Sequence, residues 1–212
     1  MTEVWIEVDQ IFEVSLGELA ECGGAPDYQP PQLVAWNLPE QGKIALRSHG
    51  LPPTRGDELL GIVGGLQESE DPEQGPDGRQ IYLLGSYGTS GLAAVEGSGE
   101  VLAIPSSPQV HPDLAHLHPS GILPTPVNST IVGLVECAWR WHSILPLLAL
   151  EQERAGEAEI VAWKEGRIGE EIPDPYAGYQ ELCAYVLRRF QEIDPAIRNG
   201  SGFWFDVIID VS

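Results

Sequence analysis

Residues 80–104 read QIYLLGSYGTSGLAAVEGSGEVLAI, and they give the clearest indication of the fold. It contains three short apolar runs, Gln80–Leu84, Gly91–Val95 and Val101–Ile104, which are separated by segments rich in Gly and Ser. Short apolar runs with such connections are typical of strands joined by tight turns. The stretch therefore predicts an antiparallel meander.

The residues before this stretch predict one short strand and two helices. Alternating apolar residues at Val4–Val8 favour a strand, and the pattern of Val14–Glu21 favours a helix. Pro39–His49 predicts a second helix, which Gly50 stops.

The residues after the stretch predict two long helices and a further strand. The first helix is capped by Asn128 or Ser129 and runs to about Pro146, where we expect the proline ring to kink or stop it. Residues 159–164 favour a strand, and residues 174–194 favour the second helix, with Pro at its first turn. Periodicity does not decide between helix and strand for residues 203–209.

These elements predict a single α+β domain over residues 1–212. A central antiparallel sheet has helices before and after it, and residues 1–35 form an N-terminal extension packed on the domain. A chain of 212 residues with 42% apolar side chains is large enough to bury such a core.

The charge of the chain excludes some partners. A net charge of −21 repels nucleic acid and anionic membranes, and it attracts basic proteins. We expect no direct nucleic-acid or membrane binding.

The N-terminus and the cysteines predict a cytoplasmic protein. The first residues are acidic and no apolar core of a signal peptide follows, so we expect no secretion signal. The longest apolar segment, Ile144–Leu150, is too short to cross a bilayer. The three cysteines form no Cys-x-x-Cys pair, which favours a reducing compartment.

No catalytic motif is complete in this sequence. Gly85–Gly91 lacks the spacing of a phosphate-binding loop, and Ser86, Ser90 and Ser98 lie in no Gly-x-Ser-x-Gly elbow. Cys137 and Cys183 lie on apolar helix faces and are interpreted as core residues. We therefore expect no enzymatic activity and no cofactor.

One alternative is a metal site at His111, His116 and His118 with Asp113. Their spacing matches no metal-binding helix, and prolines at both ends favour irregular chain. A solvated loop is the preferred interpretation.

The most acidic segment, from Glu68 to Asp77, is first interpreted as a solvated loop. Its functional interpretation is a docking surface for a basic partner. Its carboxylates are Glu68, Glu70, Asp71, Glu73 and Asp77, with Tyr82 and Tyr87 as nearby sheet residues. Trp36, Trp163 and Tyr87 would supply aromatic anchors if exposed, but core packing is the preferred interpretation for each.

Several separated motifs together resemble the SUKH immunity-protein superfamily, and its fourth group in particular. They are Gly50-Leu51-Pro52, Ile81–Gly85, Gly99-Glu100-Val101, Val127–Thr130, Ile193–Ala196 and Phe203-Trp204. The resemblance covers residues 36–210, and residues 1–35 and 150–173 have no placed counterpart.

The resemblance implies a compact, non-catalytic α+β domain that binds and neutralises a cognate toxin delivered between competing bacteria. Such toxins are often nucleases or nucleic-acid deaminases, whose clefts are basic. In this reading Gly50, Pro52, Gly85, Asn128, Asp194, Pro195 and Trp204 form turns, caps and core, and none is carried over as a binding residue. A regulatory or scaffold module of the same fold, acting on an endogenous partner, stays as the alternative.

Overall fold

An antiparallel sheet forms the centre of the protein. The computed structural model describes residues 3–24, 30–53, 61–106, 122–166 and 174–209. Its strands are β1 (Ile62–Gly64), β2 (Glu73–Gln74), β3 (Gln80–Tyr87), β4 (Ser90–Val95), β5 (Val101–Ile104) and β6 (Thr125–Asn128). The order is β1-β3-β4-β5-β6, and β2 lies beside the same edge of β3 as β1.

The predicted meander is confirmed as β3, β4 and β5. Strand β3 is longer than predicted and reaches Tyr87, so Gly88 and Thr89 alone form the turn into β4. Gly88 has a φ of 53°, a conformation that glycine adopts without a steric penalty.

Within the described residues, six α-helices accompany the sheet. They are α1 (Glu3–Glu13), α2 (Leu16–Cys22), α3 (Glu40–Ser48), α4 (Ile131–Lys164), α5 (Ala177–Ile193) and α6 (Phe203–Ile209), with a 3-10 helix at Pro31–Val34. The single α+β domain is confirmed. The predicted helices at residues 14–21 and 39–49 are confirmed as α2 and α3, and residues 203–209 are helical.

The strand predicted at Val4–Val8 is wrong, because this segment belongs to α1. Val4, Val8 and Phe12 are buried at four-residue spacing, whereas Ile6 is 49% exposed. A single exposed isoleucine between two buried valines produced the apparent alternation along the sequence. The true period is that of an amphipathic helix.

The strand predicted at residues 159–164 is also wrong, and of the two effects expected at Pro146 the stop does not occur. The helix continues through Pro146 to Lys164. A proline inside a helix costs about 3 kcal/mol, but α4 is buried against the sheet before this position and its sequence after it is rich in Ala and Glu, which favour helix. Thr130 caps the helix, and its side chain accepts a hydrogen bond from the Gly133 N–H.

The helix predicted over residues 174–194 is confirmed as α5, but it begins at Ala177. The Asp174 carboxylate instead accepts a hydrogen bond from the Tyr176 N–H at 2.9 Å and shapes the turn that precedes the helix.

The two faces of the sheet bury different side chains. Tyr82, Leu84, Leu92 and Val101 face the large core that the helices form. Ile81, Ala93, Val95 and Leu102 are buried on the opposite face, in a second cluster. Helices α1 and α2 contribute to the large core, and the Arg140 guanidinium of α4 donates hydrogen bonds to the Ile11 and Val14 carbonyls.

Candidate interaction surface

The acidic loop, residues 68–78, lies between β1 and β3 in the chain and contains β2, which pairs with the edge of β3. Strand β2 is part of this loop and pairs with Gln80 and Ile81. The Gly75 N–H donates to the Arg79 carbonyl at 2.8 Å and closes the turn back into β3. The loop is therefore continuous with the sheet.

Gln67 fastens the start of the acidic loop to β3. Its backbone N–H donates to the Leu83 carbonyl at 3.1 Å, and its side-chain oxygen accepts from the Leu83 N–H at 2.8 Å. Its side-chain nitrogen donates to the Ser69 and Asp71 carbonyls at 3.2 and 2.9 Å. The Gln67 side chain thus provides hydrogen-bond partners for the Leu83 N–H at the edge of the sheet and for two carbonyls of the acidic loop.

Two stacked aromatic rings support the acidic loop from the core. Trp36 and Tyr82 lie 4.7 Å apart between ring centroids, and both are buried. The Trp36 indole N–H donates to the Ser69 carbonyl at 3.0 Å, and the Tyr82 hydroxyl accepts from the Asn37 N–H at 3.2 Å.

The acidic loop carries charge that its surroundings leave largely uncompensated. Its carboxylate residues, Glu68, Glu70, Asp71, Glu73 and Asp77, are all exposed. Asp77 is paired with Arg79 at 2.6 Å, and the hydrogen bond from Arg79 lowers the pKa of Asp77. Among the described residues, no cation lies within 4.0 Å of the other carboxylates.

Neither of the two tyrosines predicted beside the acidic loop lies on its exposed surface. Tyr82 is 2% exposed and supports the loop from below, so it is not part of the surface. Tyr87 lies at the far end of β3, six residues from the β2 pairing site, or about 20 Å along the strand. It packs edge-on against Phe203, and burial raises its pKa.

The tryptophan predictions have opposite outcomes. Trp36 is a core residue as predicted, with 1% exposure, whereas Trp163 is 66% exposed and the prediction that it packs in the core is wrong. Ile160 and Val161, which are also about half exposed, lie beside it near the end of α4. Sequence reasoning missed this surface because it assigned these residues to a strand. The preceding Ala- and Glu-rich residues 151–159 were the available signal for helix.

The candidate metal residues His111, Asp113, His116 and His118 lie outside the described residues. In the ranges that are described, no group of three His, Cys, Asp or Glu side chains could hold a metal ion. Cys137 and Cys183 are buried as predicted, and burial raises the pKa of each thiol. A high pKa leaves little of the reactive thiolate at neutral pH.

A buried polar network joins the sheet to the C-terminal helices. The Trp204 indole N–H donates to the Asn128 side-chain oxygen at 3.0 Å, and the Asn128 side-chain nitrogen donates to the Asp194 carboxylate at 3.0 Å. A cavity of about 480 Å³ lies beside this network, between β6 and α6. The network satisfies its own donors and acceptors, which indicates a structural role.

The architecture and the surface define a mixed α+β domain that presents a structured acidic loop. The family model described as SUKH-4 immunity protein matches residues 14–210. The chain therefore belongs to the SUKH-4 immunity protein family. The match begins at residue 14, so it extends further toward the N-terminus than the residues 36–210 predicted from the motifs.

Searches of curated proteins and of solved structures each found no match to this chain. Within the described residues, no helix is both long enough and apolar enough to cross a membrane.

Proposed function

We propose that this protein binds a cognate bacterial toxin and neutralises it by covering the toxin's functional surface. Family membership supports an immunity role. The observation that carries the binding mode is the acidic loop, whose exposed carboxylates are held against β3 by Gln67 and Trp36.

The charge of the loop favours a basic toxin. Nucleases and nucleic-acid deaminases need cationic clefts to hold their substrates, and such a cleft is complementary to Glu68, Glu70, Asp71 and Glu73. Charge complementarity accelerates encounter, and a loop held in place before binding loses little conformational entropy in the complex. The protein acts in the cytoplasm, by occupancy, without catalysis or a cofactor.

The proposal is tested by co-expressing the protein with the toxin domain encoded beside its gene. We expect cell survival and a complex that co-purifies. A variant with Glu70→Lys, Asp71→Lys and Glu73→Lys should associate with the toxin about tenfold more slowly at low salt, with a weaker salt dependence.

A matched control variant distinguishes an effect of the acidic loop from an effect of the protein's net charge. Glu7, Glu21 and Glu181 are exposed on three different helices, and their replacement by Lys changes the net charge equally. Equal association rates for the two triple variants would show that the acidic loop is not the contact. No rescue and no complex with the wild-type protein would contradict the immunity role and favour a regulatory module with an endogenous partner.

A further inference from the structure

The last part of α4 leaves the core. Before Pro146 nearly every residue of the helix is buried, but of residues 149–164 only Ala155 and Ala162 are. The start of α5 supports this part, because the Tyr176 hydroxyl donates to the Glu159 carboxylate at 3.3 Å. Sixteen helical residues extend about 24 Å, so α4 presents a long face to solvent.

The exposed sides of this part of the helix carry large apolar side chains that the fold does not use. Ile160 and Trp163 lie about one turn apart on one side, and Val161 lies on the side away from Trp163. Ile160 is 52% exposed, Val161 is 48% exposed and Trp163 is 66% exposed. Four of the other tryptophans, Trp36, Trp139, Trp141 and Trp204, are at most 1% exposed. Exposed tryptophans are enriched among the residues that dominate binding energy at protein interfaces.

The charges around these side chains favour a cationic partner. Glu153 and Glu157 are exposed one helical turn apart, and like charges at this spacing repel each other. Arg154 pairs with Glu151 at 3.2 Å, and Lys164 is exposed beside Trp163. These two cations are outnumbered by the five carboxylates of residues 151–165, which are Glu151, Glu153, Glu157, Glu159 and Glu165. The carbonyl end of α4, at Lys164, adds the negative end of the helix dipole.

We propose that the projecting surface, defined as Ile160, Val161 and Trp163 with Glu153 and Glu157, is a second docking site for the basic toxin. Ile160 and Val161 cover apolar side chains of the toxin. A lysine or arginine of the toxin lies over the Trp163 ring, where the cation is attracted by the ring face. This inference rests on the proposed function, and it concerns a surface separate from the acidic loop.

Truncation of exposed side chains tests the projecting surface without disturbing the core. We expect Trp163→Ala to weaken binding of catalytically inactivated toxin at least tenfold, mainly through faster dissociation. Ile160→Ala should weaken binding severalfold. The matched control is Ile44→Ala on α3, because Ile44 is 50% exposed and loses the same atoms.

Oxidative footprinting gives a second readout on the wild-type protein. Trp163 should be oxidised rapidly in the free protein and protected in the complex, while the buried tryptophans react slowly in both. Unchanged affinity of Trp163→Ala, together with no protection of Trp163, would overturn the second docking site alone.

Two other outcomes are distinguishable. Sedimentation that shows a wild-type dimer and a Trp163→Ala monomer would assign the projecting surface to a second copy of this chain and overturn the proposal. Absence of both rescue and binding by the wild-type protein would contradict the proposed function itself, and the second docking site with it.

Discussion

Asp194 is 2% exposed and its carboxylate accepts four hydrogen bonds. The Ser129 N–H and hydroxyl donate at 2.7 and 2.8 Å, the Asn128 side chain at 3.0 Å and the Ala196 N–H at 3.1 Å. Burial opposes ionisation of this carboxyl, but the hydrogen bonds from Ser129, Asn128 and Ala196 outweigh it and lower the pKa of Asp194. The ionised form therefore joins the start of α4 to the end of α5.

Replacement of Asp194 by Asn should lower the free energy of unfolding by about 3 kcal/mol at pH 7. The reason is that the NH₂ group of Asn takes the place of a carboxylate oxygen, so buried donors that bond this oxygen lose their acceptor. Because folding lowers the pKa of Asp194, its ionised carboxylate stabilises the folded protein at pH values above the ordinary pKa of 3.8. This stabilisation is lost as the pH falls through the pKa that Asp194 has in the folded protein. The difference in the free energy of unfolding between the wild type and Asp194→Asn should therefore become smaller at pH values below 3.8. Urea denaturation at a series of pH values measures this difference.

The exposed Asp71 supplies the control for this substitution. Asp71→Asn should change stability by less than about 0.5 kcal/mol. If the wild type and Asp194→Asn differed in the free energy of unfolding by the same amount at every pH, the pKa of Asp194 would not be lowered in the folded protein.

At the scale of elements, the acidic loop and β3 act as one unit. Edge strands leave N–H and C=O groups unpaired, and proteins cover such edges with other chain segments. On β3, β1 and β2 pair with the two ends of this edge, and Gln67 covers Leu83 between them. Covering the edge of the sheet also places the carboxylates of the acidic loop in defined positions.

We expect Gln67→Ala to release the acidic loop without unfolding the sheet. The loss of its side-chain hydrogen bonds should destabilise the protein by about 1–3 kcal/mol and accelerate hydrogen exchange at the Leu83 amide. Hydrogen-exchange mass spectrometry over residues 67–84 measures this change.

Gln74→Ala is the matched control, because Gln74 is exposed and lies in the acidic loop, whereas its side chain is not the one that bonds Leu83. Exchange at Leu83 should be unchanged in this variant. Equal exchange in the wild type and in Gln67→Ala would show that the loop is held by other contacts.

At the scale of the whole molecule, a net charge of −21 acts against the compact state. Ion pairs offset part of it locally, as at Arg79 with Asp77 and Glu100. The remaining carboxylates repel one another over distances that depend on the Debye length.

Salt should therefore stabilise the protein. Raising the salt concentration from 0.01 to 0.15 M shortens the Debye length from about 30 to about 8 Å and should increase the free energy of unfolding by about 1 kcal/mol. Chemical denaturation with urea, which is uncharged, measures the effect. The triple variant at Glu7, Glu21 and Glu181 should respond less, and an equal or opposite response would contradict charge repulsion as the cause.

The meander, α2, α3 and α5 could be predicted from local sequence. Their apolar spacing, caps and turns act between residues that are close along the chain, and the resemblance to the immunity family was carried by such short motifs. The acidic loop could be found in the same way, because five acidic residues among Pro and Gly do not form a core.

Short-range patterns and composition were therefore enough to predict the fold class, the family and the excess of negative charge. Tertiary structure alone decided that Val4–Val8 is helical, that α4 continues through Pro146, that Tyr82 is buried and that Trp163 is exposed. The physical reason is that burial depends on residues distant in the sequence. Packing against them can outweigh a local preference of a few kcal/mol, in either direction.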